Sequence, residues 1–149
     1  MYWEIIIFDE TGLSGISVAE MIKELLKVVA CSRIHVYEFE GIADQSAWEK
    51  VLESGHLKTN EFIDLIRDAI QVEWATFCLL KDSNTNSHSQ TYFESYLECI
   101  RDSDVVVRCA DGTDFFIYTK NNDLSTTIQT KYSCLSATQI DLMDVRWPG

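Results

Sequence analysis

Two apolar runs flank an Asp-Gly pair late in the chain. Val105-Val106-Val107-Arg108-Cys109-Ala110 precedes Asp111-Gly112, and Phe115-Phe116-Ile117-Tyr118 follows it. A type I′ turn needs positive φ at both central residues, which Asp and Gly tolerate, so this stretch is committed to an antiparallel hairpin. Thr113 and Asp114 leave room for a longer loop. A lone hairpin is marginal in water, so the chain must supply further strands or helices to cover it.

The rest of the sequence offers both. Tyr2 to Phe8 contains Ile5-Ile6-Ile7-Phe8, a β-branched run without alternation, as expected of a central strand buried on both faces. Trp74 to Leu80 reads the same way. Arg33 to Glu40 alternates, with Ile34 and Val36 on one side and His35, Tyr37 and Phe39 on the other. Between the first two of these strands, in chain order, Ser17 and Glu20 form a capping-box pattern that starts a helix at Ser17. Val18, Met21, Ile22, Leu25 and Val29 make its apolar face, and it ends near Cys31. Strand, helix and strand together suggest a βαβ unit, with an antiparallel arrangement as the other option.

Further helices follow the same periodicity. Asp44 to Ser54 buries Trp48, Val51 and Leu52 and stops at Gly55. Another begins at Thr59 or Asn60 and buries Phe62, Ile63, Ile66, Ala69 and Ile70. Thr91 to Asp102 buries Phe93, Tyr96, Leu97 and Ile100. Asn121 to Tyr132 is a weak helix because of its threonines. Asp82 to Gln90 is a polar Ser/Asn-rich loop. The tail from Ser133 is ambiguous: Ser136 and Gln139 could cap a helix burying Ile140, Met143 and Trp147, and a strand fits nearly as well. The expected fold is α+β, a single domain over residues 1–149, with a mixed or antiparallel sheet of about five strands packed on four to six helices.

Charge narrows the partners. The chain carries 24 Asp and Glu against 12 Lys and Arg, a net charge of −12. Such a field repels nucleic acid and anionic membranes and attracts basic protein surfaces. Seven Phe, six Tyr and four Trp separate it from acidic disordered chains, which are poor in aromatics. Five dispersed cysteines, an odd number without a CxxC pair, fit a reducing, cytoplasmic setting better than a disulfide framework. No apolar run is long enough to span a bilayer.

Chemistry-bearing motifs are sparse. Asp9, Glu10, Thr11 and Ser14 cluster after the first strand, where open α/β sheets place ligands, and a helix start at Ser17 is a place for an anion. The second acid of an Asp-x-Asp pair is absent, since Thr11 stands two residues after Asp9. His35, His56 and His88 share no metal-binding spacing. Cys31 and His35 invite comparison with a thiolate–imidazole pair. Nothing calls for a cofactor, a metal or a catalytic residue.

Two acidic stripes are more informative. Glu61, Asp64 and Asp68 recur at helical spacing, and so do Glu94, Glu98 and Asp102; each like-charged pair costs about 0.2–0.5 kcal/mol. Either they are ordinary solvated faces, or they form an acidic docking surface for a basic protein, with Trp48, Trp74, Tyr92 and Tyr96 as nearby anchors. The expected function is therefore non-enzymatic: binding a basic partner, as an immunity or antitoxin-like inhibitor masks a cationic domain. The alternatives are a small, metal-dependent hydrolase using the Asp9–Ser14 loop, or a regulatory subunit that homodimerises through a sheet edge or the Trp147 tail.

Overall fold

The computed structural model describes residues 1–81 and 93–149. Its strands are β1 (Tyr2–Phe8), β2 (Arg33–Ile42), β3 (His56–Lys58), β4 (Gln71–Leu80), β5 (Val105–Ala110), β6 (Asp114–Thr119) and β7 (Ser136–Ile140). Its helices are α1 (Gly15–Val28), α2 (Gln45–Ser54), α3 (Thr59–Arg67), α4 (Tyr96–Asp102) and α5 (Asn122–Lys131), followed by a 3-10 turn at Leu142–Asp144. The strands form one antiparallel sheet in the order β3-β2-β4-β5-β6-β1-β7.

The α+β class and the helix number agree with the sequence, and the strand number does not: the described residues form seven strands rather than about five. The two additions are β3 and β7, which lie at the two edges. Each is short and partly polar, with little apolar alternation to announce it. The Asp-Gly hairpin forms as expected, with φ of 55° at Asp111 and 70° at Gly112.

Strand, helix and strand at the N-terminus do not make a compact βαβ unit. β1 and β2 run in the same direction but are separated by β6, β5 and β4. β1 is therefore next to an edge rather than central, and the fully buried centre is β5.

One face of the sheet carries α1, α2, α3 and α5. Val18, Met21, Ile22 and Leu25 of α1, Trp48 of α2, Phe62 and Ile66 of α3 and Leu124 and Ile128 of α5 join Ile5, Ile7, Phe77, Val107 and Ile117 in the main core. The other face carries α4 and the C-terminal tail, where Cys99, Ile100 and Val145 pack with Cys78, Val106 and Tyr118. Val106 and Val107 fall in different cores because side chains alternate across a strand.

Local departures have local causes. The N-cap of α1 is Ser14, not Ser17: Ser17 N–H donates to Ser14 Oγ at 3.1 Å and Ser14 N–H to Ser17 Oγ at 2.9 Å. The capping box uses serine at its third position, so the Ser17–Glu20 pattern lies one turn too late. A bulge in β2 between Val36 and Glu38 breaks its alternation. Tyr37 then packs on the α4 side, while Phe39 returns to the main core and stacks on Trp48 at 3.8 Å. Ile70 and Leu52, expected inside, are exposed. Met143 is exposed too, on the 3-10 turn that follows β7. The Asp82–Gln90 loop, with His88, and the Thr91–Tyr92 start expected for a helix lie outside the described residues.

Candidate functional site

The two acidic triplets do not form one surface. Glu61, Asp64 and Asp68 belong to α3 and its C-cap, on the main-core side of the sheet, whereas Glu98 and Asp102 lie on α4, and Glu94 just before it, on the opposite side. Several members have local partners. Glu61 Oε1 accepts the Lys58 N–H at 3.1 Å, and Glu98 Oε2 accepts the Glu94 N–H at 2.7 Å. The first satisfies a donor that the start of α3 leaves open, and the second ties the approach to α4 onto its first turn. Asp102 pairs with Arg101 at 2.7 Å, which holds its carboxyl below the usual carboxylate range. Asp64 and Asp68 are exposed on the surface of the helical layer.

The Asp9–Ser14 loop borders a groove of about 740 Å³ between the end of β1, the first turns of α1 and the segment linking α5 to β7. Ile7, Met21 and Phe115 form its buried floor; Phe8 is 49% exposed and Leu135 67%. Its charged lining is Asp9, Glu10 and Glu20, the last paired with Lys23 at 3.6 Å, and among the described residues no Lys or Arg lines it. Asp9 Oδ1 accepts both the Thr11 N–H at 3.0 Å and the Thr11 hydroxyl at 2.7 Å, which folds the loop into an Asx turn. Burial, with the negative charges of Glu24 and Glu20, pushes the neighbouring Tyr132 phenol up.

The start of α1 is engaged by protein. Gly15 N–H donates to Ala69 O at 3.0 Å, and a Cβ on Gly15 would lie 2.0 Å from Ile66 O. The end of α3 thus occupies the place that an anion would take at a free helix N-terminus.

Sequence reasoning passed over Arg108, a charged residue on the central strand with its side chain 4% exposed. Its Nε and Nη2 donate to Pro148 O at 2.9 and 2.7 Å, its Nη1 donates to Thr76 Oγ1 at 2.8 Å, and it forms an ion pair with Glu38. The guanidinium lies 5.3 Å from the Trp74 ring centre and 4.6 Å from that of Trp147. Trp147 in turn stacks on Tyr96 at 4.9 Å. Of the four aromatic anchors expected, Trp48 is therefore core and Trp74 and Tyr96 flank this tail clamp, while Tyr92 is outside the described residues. A lone Arg inside a β-branched run was the available signal, because a buried guanidinium must find several acceptors.

Four of the thiols are not set for nucleophilic work. Burial pushes Cys31 up to about 12 and raises Cys109 and Cys134; contact with the Cys78 thiol, together with burial, raises Cys99. Cys31 belongs to the main core, whereas His35 pairs in register with Cys78 and meets Phe93 on the α4 side, so the two do not form a catalytic pair. Among the described residues no group of three or more His, Cys, Asp or Glu is placed to hold a metal ion, and no helix is long and apolar enough to cross a membrane. Neither a family model, a curated protein nor a solved structure matches the chain.

Proposed function

We propose that this protein is a non-enzymatic binder of a basic protein partner, an inhibitor of the kind that masks a cationic domain. The observation that carries this reading is the surface of the helical layer. Asp64 and Asp68 stand exposed on one side of α1, and the groove on its other side has an acid-only charged lining. In a chain of net charge −12, these acids steer a positively charged surface toward the layer and disfavour anionic ligands there. The triplet on α4 contributes to the long-range field from the opposite face.

Affinity capture from the native cell, followed by association kinetics with the captured protein, tests the proposal. Charge reversal in the pair Asp64→Lys and Asp68→Lys slows association about tenfold and flattens its salt dependence, as electrostatic steering requires. A partner whose on-rate is the same at low and high salt, with and without those changes, overturns it.

A further inference from the structure

The groove beside Phe8 has features that general acidity does not explain. Pairing of β1 with β6 continues to Phe8↔Asp114, but pairing with β7 stops at Ile6↔Ser136. Among the described residues, the last two of β1 therefore have a strand on one side only. Leu135 donates its N–H to Ile6 O at 2.8 Å and turns away from the sheet there, leaving its side chain and that of Phe8 exposed across the opening. Exposed apolar residues scattered singly are ordinary. Two that share a groove with a buried apolar floor make a seat for an apolar side chain.

We propose that this groove takes an extended basic segment of the protein partner. An apolar side chain of the segment sits between Phe8 and Leu135, and flanking Lys or Arg residues face Asp9, Glu10 and Glu20. This rests on the reading of the protein as a binder of basic partners. Charge complementarity selects the occupant. A second copy of the chain would bring its own net charge of −12 to an acid-lined opening and be repelled. An extended form fits because the open flank of β1 can add a strand, the mode in which backbone hydrogen bonds supply affinity and alternate side chains supply specificity.

The test uses the full chain and short synthetic peptides. The probe alternates Lys with Leu; one control has Glu in place of Lys, and another has Ser in place of Leu. Affinity is read by fluorescence anisotropy and the site by amide shift mapping. The expected result is binding of the Lys/Leu probe with shifts at Phe8, Thr11, Met21 and Leu135, and about tenfold weaker binding of the Ser control. Leu135→Ser and the pair Glu10→Gln and Glu20→Gln each weaken the probe by about tenfold as well. All three positions are exposed, and the spectrum of each variant reports whether it folds.

Shifts centred on Asp64 and Asp68 instead, with no response to Leu135→Ser, overturn the groove while leaving the basic-partner reading standing. Equal binding of the Ser control overturns the apolar seat. A dimer seen by light scattering and abolished by Leu135→Ser assigns the groove to a second copy and overturns the proposal. No binding of the Lys/Leu probe anywhere, while the captured partner still binds with steep salt dependence, overturns the groove alone. Loss of salt dependence in that partner as well removes both.

Discussion

Arg108 and Trp147 face each other across the second face of the sheet, the guanidinium 4.6 Å from the indole ring centre. The contact joins the most buried strand to the C-terminal tail, and Pro148 O closes the clamp with two hydrogen bonds. Removing the guanidinium leaves these acceptors without their donor and Trp147 without its cation. Arg108→Ala is expected to destabilise the fold by about 3 kcal/mol, the upper end for losing hydrogen bonds to a charged group, and to speed hydrogen exchange at Val145 and Trp147. Glu38→Gln costs about 1 kcal/mol or less, because Glu38 is 40% exposed and water screens its share. Urea unfolding of both variants checks the order.

Gly15→Ala tests the contact between α1 and α3. The added methyl would lie 2.0 Å from Ile66 O and 2.5 Å from Ala69 O, both backbone atoms. Neither can rotate away, so the helices must separate. The expected loss is about 3 kcal/mol, the upper end for overpacking, visible as a lower thermal midpoint. A midpoint equal to that of the unchanged protein would show that the helices do not meet there.

Gly112→Ala tests the hairpin that supports the groove loop. Gly112 has φ of 70°, accepts the Leu13 N–H at 2.7 Å and donates to Glu73 O at 2.9 Å. A side chain in this left-handed region costs about 1–2 kcal/mol. Because the hydrogen bond from Leu13 ties the helix-entry loop to the turn, amide exchange at Leu13 is expected to rise together with that of Gly112.

Stability also follows the state of His35. Burial, the facing His56 and nearby Arg33 lower its pKa from 6.5 to about 4, although a hydrogen bond with the Gly55 backbone acts the other way. The folded ring stays neutral while the unfolded ring takes up a proton, so the unfolded state binds more protons in that interval. The contribution is complete above about 6.5 and is lost as the pH falls toward 4. Chemical unfolding along this range should show the decline, and His35→Gln should flatten it. The carboxylates of Glu24 and Asp102, lowered by Lys131 and Arg101 respectively, weaken the fold only at more acid pH.

The sequence discloses what is strongly periodic and hides what depends on a distant partner. Asp111-Gly112 announces its turn because positive φ is a local demand. The apolar faces of α1, α2 and α3 are visible because helix burial repeats every three or four residues. Phe39 is placed on the wrong side because a one-residue bulge at Tyr37 flips everything beyond it. β7 has no fully buried residue and a polar composition, so only its pairing with β1 defines it. In the groove, Asp9, Glu10 and Thr11 are marked by sequence as a loop, but Leu135 and Tyr132 join them only through the path from α5 to β7. The separation of the acidic stripes is hidden for the same reason: which face a helix covers is a property of the sheet.

The strand order has a consequence for biosynthesis. β1 is made early, yet both its neighbours, β6 and β7, come from residues 114–140. Trp3 must await Thr119 on one side and Gln139 on the other. Until then Ile5-Ile6-Ile7 emerges from the ribosome as an apolar segment with no edge to join. Closure across most of the chain is slow because long loops must be ordered first. The nascent chain is accordingly most prone to aggregation before residues 105–140 are made; the Asp-Gly hairpin supplies the first neighbour of β1 and β7 the second.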